Sequence, residues 1–197
     1  MKRIMIGCLA GVSAIFFMSC AAMGPPEPTQ ANFQPPTVSL SHAEVAHYWG
    51  WWYFAKKVAP TKGDPGDYGA PLDLAFVFDI ENPNEYPVQL ESFKFTVAFE
   101  EFDLNTVSAM ETQWIPPGKT NQVRVHAMFD ARQSLLSLMV TGGFKLQEKG
   151  VSVWDQLQTW WVEAPEFGFP IHVKEGAAVF AADGLSEVVS FTSTYPE

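Results

Sequence analysis

Between Leu72 and Ile80 the chain alternates without a break, and this alternation limits its fold more than any other feature. Leu72, Leu74, Phe76, Phe78 and Ile80 fall on one side of an extended chain, and Asp73, Ala75, Val77 and Asp79 on the other. A strand with one apolar side and one partly polar side belongs to an antiparallel sheet with a single covered face. The same period returns in Phe93, Phe95, Val97 and Phe99, and again in Val123, Val125, Ala127 and Phe129. Val38 and Leu40 alternate with serines before them. Phe167 to Val173, Ala177 to Ala181 and Val188 to Thr192 read as closing strands. The phase shift between Leu90 and Phe93 predicts a turn or bulge near Ser92. Glu81 to Pro87 and Ile115 to Lys119 are turns, with Pro117 and Gly118 suited to the centre of a type II turn. Lys62 to Tyr68 is a loop. The spacing predicts a mainly β protein, an antiparallel β-sandwich of immunoglobulin or fibronectin type with one or two short inserted helices.

One helix is expected over Ala131 to Val140, with Asp130 as N-cap, Leu135, Leu136 and Met139 as its apolar stripe, and Gly142-Gly143 as its stop. Val151 to Val162 fits either a helical face, through Val153, Trp154, Leu157, Trp160 and Trp161, or strands. Tyr48 to Phe54 is densely aromatic. Taken as a strand, it sends Trp49, Trp51 and Tyr53 one way and Trp52 and Phe54 the other. Rings on both faces require cover on both sides, or else form an exposed patch that marks a lipid, glycan or protein contact. Trp49, Trp51, Trp52, Trp154, Trp160 and Trp161 are therefore the candidate ligand or partner patch.

The N-terminus carries a different message. Lys2 and Arg3 precede an apolar stretch from Ile4 to Phe17, the form of a secretion leader. It is too short for the ~20 apolar residues of a spanning helix. The run Phe17-Met18-Ser19-Cys20 at its end resembles the lipobox of bacterial lipoprotein precursors, except that Phe17 stands where Leu is usual. The resemblance implies cleavage before Cys20, lipidation of its thiol and of the new amino terminus by acyl groups such as palmitate, and attachment to a membrane. Ala21 after Cys20, rather than Asp, implies the outer membrane, facing the periplasm. Residues 1–19 are then a signal peptide, residues 20–37 a lipidated, proline-rich tether, and residues 38–197 one domain. Extended at about 3.1 Å per residue, the tether reaches roughly 50 Å.

The chain has 197 residues and only two cysteines, Cys8 and Cys20, so the mature domain contains no disulfide and its core holds by burial. The formal net charge of −10 becomes more negative still once Lys2 and Arg3 leave. That opposes binding to nucleic acid, and none is expected as a partner. Membrane attachment through the lipid, and a lipid or envelope protein as partner, remain in view.

No enzyme signature is present: no Gly-x-Ser-x-Gly elbow, phosphate loop, His-Glu-x-x-His helix or EF-hand spacing. His42 and His47, five apart, are expected on opposite faces of a strand and make a poor metal pair. His126 reads as a surface residue. Glu100, Glu101 and Asp103 form an acidic hairpin tip, a charged edge that discourages sheet pairing. No catalytic residue, cofactor or metal is expected.

Asn82-Pro83-Asn84, closing an alternating strand and followed by Tyr86-Pro87, gives the order of pieces a familiar look. With the Ile115 to Gly118 turn, the Val123 to Phe129 strand, the helix after it, and Phe169-Pro170-Ile171 before Gly176, the chain resembles the WHy domain shared with the desiccation-related (type 2) late-embryogenesis-abundant proteins. The resemblance covers roughly Val38 to Phe180. It implies a sandwich without a catalytic site and a protective or scaffolding role in water stress, with binding or carriage of lipid as an alternative.

Overall fold

The computed structural model describes residues 24, 26–55, 69–109 and 111–196. Cys20, the leader and the Lys62 to Tyr68 loop lie outside them. In chain order the elements are β1 (Thr37–Tyr48), α1 (Trp51–Ala55), β2 (Pro71–Glu81), β3 (Val88–Phe99), β4 (Phe102–Ala109), β5 (Gln113–Ile115), β6 (Thr120–Asp130), α2 (Ala131–Thr141), α3 (Gly143–Glu148), α4 (Val153–Glu163), β7 (Ile171–Ala182) and β8 (Leu185–Tyr195). One sheet runs β1-β2-β6. The other runs β4-β3-β7-β8, with β5 also on β3. The strand pairs of the described residues are antiparallel. This is the expected sandwich, with more helix than the alternation foretold.

The core lies where the alternation placed it. Leu72, Leu74, Phe76, Phe78 and Ile80 are fully buried, and Phe93, Phe95, Val97 and Phe99 face them from the other sheet. The sheets meet through rings: Phe76 on Phe95 at 5.4 Å and Phe78 on Phe93 at 4.9 Å between centroids. Such offset or edge-on pairs gain about 0.5–1.5 kcal/mol beyond the area they bury.

Bulges alter the pairing in both sheets. β3 slips against β7 between Leu90 and Ser92, as expected. The two segments taken as separate closing strands are one strand, β7, bent where Glu175 adopts φ 51 and Gly176 follows. A Cβ on Gly176 would lie 2.5 Å from the Phe191 ring, so only glycine lets that ring reach the core. β1 shifts register twice, between Leu40 and His42 and between Val45 and His47. The second shift corrects the histidine reading: His42 pairs with Val77 and His47 with Asp73, so both project to the outer face. Four residues apart along β2, they stand about 13 Å from each other at 3.3 Å per residue, too far to share an ion.

The helices gather at one end of the sandwich. α1 follows β1, α2 follows β6, and α4 is fastened there by the Trp161 indole N–H, which donates to the Ala70 carbonyl at 2.9 Å. Tyr48 donates its hydroxyl proton to the Trp161 carbonyl from the last residue of β1. Asp130 caps α2 by accepting from the Arg132 and Gln133 amides, and Ser152 caps α4 by accepting from Asp155. Residues 51–55, read as strand, are a short helix. Residues 153–163, left open between helix and strand, are helix α4. Gly142 ends α2 as its C-cap, as expected, but the chain turns straight into α3, the Leu146 amide donating back to the Gly142 carbonyl. A Cβ at Gly142 would meet the Phe102 ring at 2.7 Å, so that glycine permits α2 to approach β4.

Candidate functional site

The end opposite the helices is built on Asn82-Pro83-Asn84. Asn82 is fully buried, and its Nδ2 donates to the carbonyls of Tyr86, Ile115 and Pro116 at 2.9, 3.0 and 3.2 Å. Its Oδ1 accepts from the Asn84 amide at 3.0 Å, the side chain closing its own turn. Asn84 then grips the segment before β1, the expected tether. Its Nδ2 donates to the Gln34 carbonyl at 2.8 Å, and its Oδ1 accepts from the Gln34 amide at 2.9 Å. The Tyr86 hydroxyl donates to Asn32 at 3.1 Å, and burial pushes the Tyr86 phenol pKa up. The Pro-Gly turn joins this end through the Gly118 amide, which donates to the Asn84 carbonyl at 3.0 Å, with Gly118 at φ 58. The residues named for family likeness are thus a clasp, with both polar atoms of the Asn82 side chain satisfied.

The clasp changes the tether. Residues 27–36 are laid on the domain rather than held away from it: a turn at Thr29 to Asn32 is closed by Asn32, and Phe33 packs against the core. The span left between Cys20 and Glu27 is at most about 25 Å, half the expected reach.

At the other end the six candidate tryptophans separate. Trp160 and Trp161 are fully buried, and Trp51 nearly so. Trp160 sits among Phe99, Phe102 and Phe169, and its indole N–H has no partner among the described residues. These three are core. Trp49, Trp52 and Trp154 are exposed. Trp154 stacks on Phe54 at 5.2 Å and meets Trp51 edge-on at 5.0 Å. Trp52 lies against Tyr53 at 3.6 Å, and Trp49 against Tyr53 at 4.7 Å. The aromatic run is therefore a ridge of rings, half core and half surface.

Beside the ridge, α2 is rotated from its expected orientation, and of the expected stripe only Leu135 packs against the core. Its inward residues are Ala131, Ser134 and Leu138, with Leu135 partly buried, whereas Leu136 and Met139 point outward with Val140. Val140 is 82% exposed and Phe144, one turn on, 84%. The pattern Ala131, Ser134, Leu138, Gly142 was the available sign, since small residues at helical spacing mark close approach.

Two polar arrangements complete the inventory. On the outer face of β1-β2-β6, Arg124 pairs with Glu44 and its Nε donates to His126 Nε2 at 3.2 Å. That makes Nε2 the acceptor, so Nδ1 carries the proton and donates to Asp73 Oδ2 at 2.9 Å. His126 is a surface residue as expected, but one held at both ring nitrogens. On the outer face of the second sheet lies an open concavity of about 490 Å³ lined by Glu100, Glu101, His172, Lys174 and Thr194. There His172 Nδ1 bonds Thr194 Oγ1 at 2.9 Å, and no carboxylate among the described residues holds the ring's other nitrogen. A hydroxyl beside an unoriented imidazole in an open dish lacks the third member that activated nucleophiles use. The acidic hairpin tip is neutralised locally: Glu101 pairs with Lys149, Asp103 with Lys174, and Glu100 accepts from Gln156 at 3.2 Å. The bond from Lys149, with the charges of Lys149 and Lys145, holds the Glu101 carboxyl below its ordinary range. Among the described residues no group of three or more His, Cys, Asp or Glu side chains is placed to hold a metal ion, and no helix is long and apolar enough to cross a membrane.

No family model and no curated protein matches the sequence. Among solved structures, the chain is similar to a protein from Archaeoglobus fulgidus at 12% identity and TM-score 0.41, covering 79% of this chain and 94% of that one. It is similar to the Northeast Structural Genomics Consortium target SoR45 at 10% identity and TM-score 0.43, covering 81% and 84%. A Bordetella pertussis structure carrying the ApaA designation gives 13% identity and TM-score 0.41, covering 82% and 94%. Likeness at this level carries no argument about activity.

Proposed function

We propose that this chain is a lipid-anchored protein of the bacterial cell envelope whose sandwich is a non-enzymatic, WHy-like domain with a protective or scaffolding role, under water stress in particular. The observation that carries the reading is the clasp. The strand-ending Asn82-Pro83-Asn84 turn holds the segment that leads back to Cys20, which suits a domain held by its N-terminus. The leader, the lipobox-like run before Cys20 and Ala21 supply the chemistry and address of the anchor, in the outer membrane facing the periplasm. Support for a non-catalytic role comes from His172 and Thr194 lying in an open dish and from the local pairing of the carboxylates.

Metabolic labelling with a palmitate analogue tests the anchor. Wild-type chain takes up label and partitions with membranes, and Cys20→Ser does neither; equal labelling of the two would end this reading. A second reading, a lipid-binding module or a subunit of an envelope complex, is favoured by the exposure of Trp52 and Trp154. Native mass spectrometry of the purified protein tests it, co-purified lipid supporting the lipid-binding form.

A further inference from the structure

We propose that the outward face of α2 and α3 is a homodimer interface, on which a second copy of this chain lays the same face antiparallel. Leu136, Met139, Val140 and Phe144 follow helical spacing and are each more than half exposed. From Gln133 to Phe144 no residue carries a charge, in a chain whose formal net charge is −10. Two copies of so acidic a protein repel one another wherever acidic surface meets acidic surface. This stretch is a surface they can share without that cost, and it needs no complementary charge from another partner.

The area fits as well. α1 and α4, both in contact with α2, add the exposed Trp52 and Trp154. The exposed fractions of the six amount to nearly four whole side chains, on the order of 600–800 Å² at about 150–200 Å² each. A standard interface uses about 800 Å² per partner, and monomers rarely expose contiguous apolar patches beyond a few hundred. A closed pair formed by one patch on both copies has two-fold symmetry. A helix crossing that axis runs antiparallel to its mate. With Val140 on the axis, Leu136 of one copy faces Phe144 of the other.

This goes beyond the proposed function and does not depend on the anchor. The test is oxidative cross-linking in cells that express the full chain with Cys8→Ala and one added cysteine. Val140→Cys is expected to form a disulfide-linked dimer. Leu136→Cys and Phe144→Cys are expected to cross-link at least tenfold better when co-expressed than either does alone. Adding Met139→Glu to Val140→Cys is expected to cut the dimer at least tenfold, while Val188→Glu, on the exposed β8 edge, leaves it intact. A Val140→Cys chain that reacts with a small thiol reagent but stays monomeric overturns the proposal. So does cross-linking to a different protein, or a dimer lost with Val188→Glu. Dimers from the parent chain, whose only cysteine is Cys20, report a free thiol there and count against the anchor. The interface is then decided by the co-expressed Leu136→Cys and Phe144→Cys chains: a tenfold gain over either alone supports it, and no gain overturns it.

Discussion

The two ends of the sandwich close the same open-ended pair of sheets with opposite materials. At the Asn82 end, the buried side chains of Asn82 and Asn84 find partners, so the seal is directional and local. At the helical end, rings and aliphatic side chains make the seal, with Trp160 and Trp161 inside and Leu136, Val140, Phe144 and Trp52 left outside. The difference teaches where selection for fold ends. A satisfied asparagine explains itself by the carbonyls it holds, while an exposed Phe144 explains nothing about the monomer and needs something outside it.

Substitutions can separate these two kinds of seal. The largest effect is expected from Trp160→Ala, which empties a fully buried site among Phe99, Phe102 and Phe169 and costs about 3–5 kcal/mol. Thermal unfolding should show a drop of about 6–20 °C at 2–4 °C per kcal/mol. Asn82→Ala should follow, at about 2–3 kcal/mol, because it strands buried carbonyls. A melt unchanged from wild type would show that the clasp end is ornament. Asn84→Ala should cost about 1–2 kcal/mol, with a sharper signature in limited proteolysis: cleavage near Thr29 to Gln34 should accelerate while the sandwich survives. Phe144→Ser should shift stability by no more than about 0.5 kcal/mol. A large loss there would place that ring in the core after all.

The smallest effect is a pH effect. The Glu101 carboxyl is held below its ordinary value by Lys149, so its contribution is present above the unfolded pKa and fades as pH falls through the folded one. Stability curves of Glu101→Gln and wild type should differ slightly at neutral pH and converge in acid below the ordinary carboxylate range. Divergence on acidification would reverse the sign and refute the pairing.

Much of the sheet could be read from residue order because the pleat maps period two directly onto faces: Leu72 to Ile80 needed no tertiary information. The aromatic run did not yield, because Tyr48 to Phe54 has rings at nearly every position and so has no period. A five-residue helix such as α1 is not stable alone; it forms because Trp51 and Phe54 find Trp154, a partner about a hundred residues on. The α2 stripe misled for another reason. Leu135, Leu136 and Met139 look like a core face if large residues are assumed to point inward. The inner face instead needed the small Ser134 and Gly142 to come close to β4. Of the named site residues, the clasp could be located but its grip on Gln34 could not, since hydrogen bonds between residues fifty apart leave no local trace.

The Gln34–Asn84 clasp also decides how the molecule bears load. A pull along the N-terminal segment meets the Asn32–Tyr86 bond, the Phe33 packing and the two Gln34–Asn84 amide hydrogen bonds before it reaches β1. Beyond them, β1 is zipped along β2 from Thr37 to Tyr48, with its ladder bonds perpendicular to the strand and therefore strained together, in shear. On the proposed anchoring, swelling or shrinkage of the membrane surface would spend itself first on breaking and remaking those contacts, leaving the phenylalanine core unstretched.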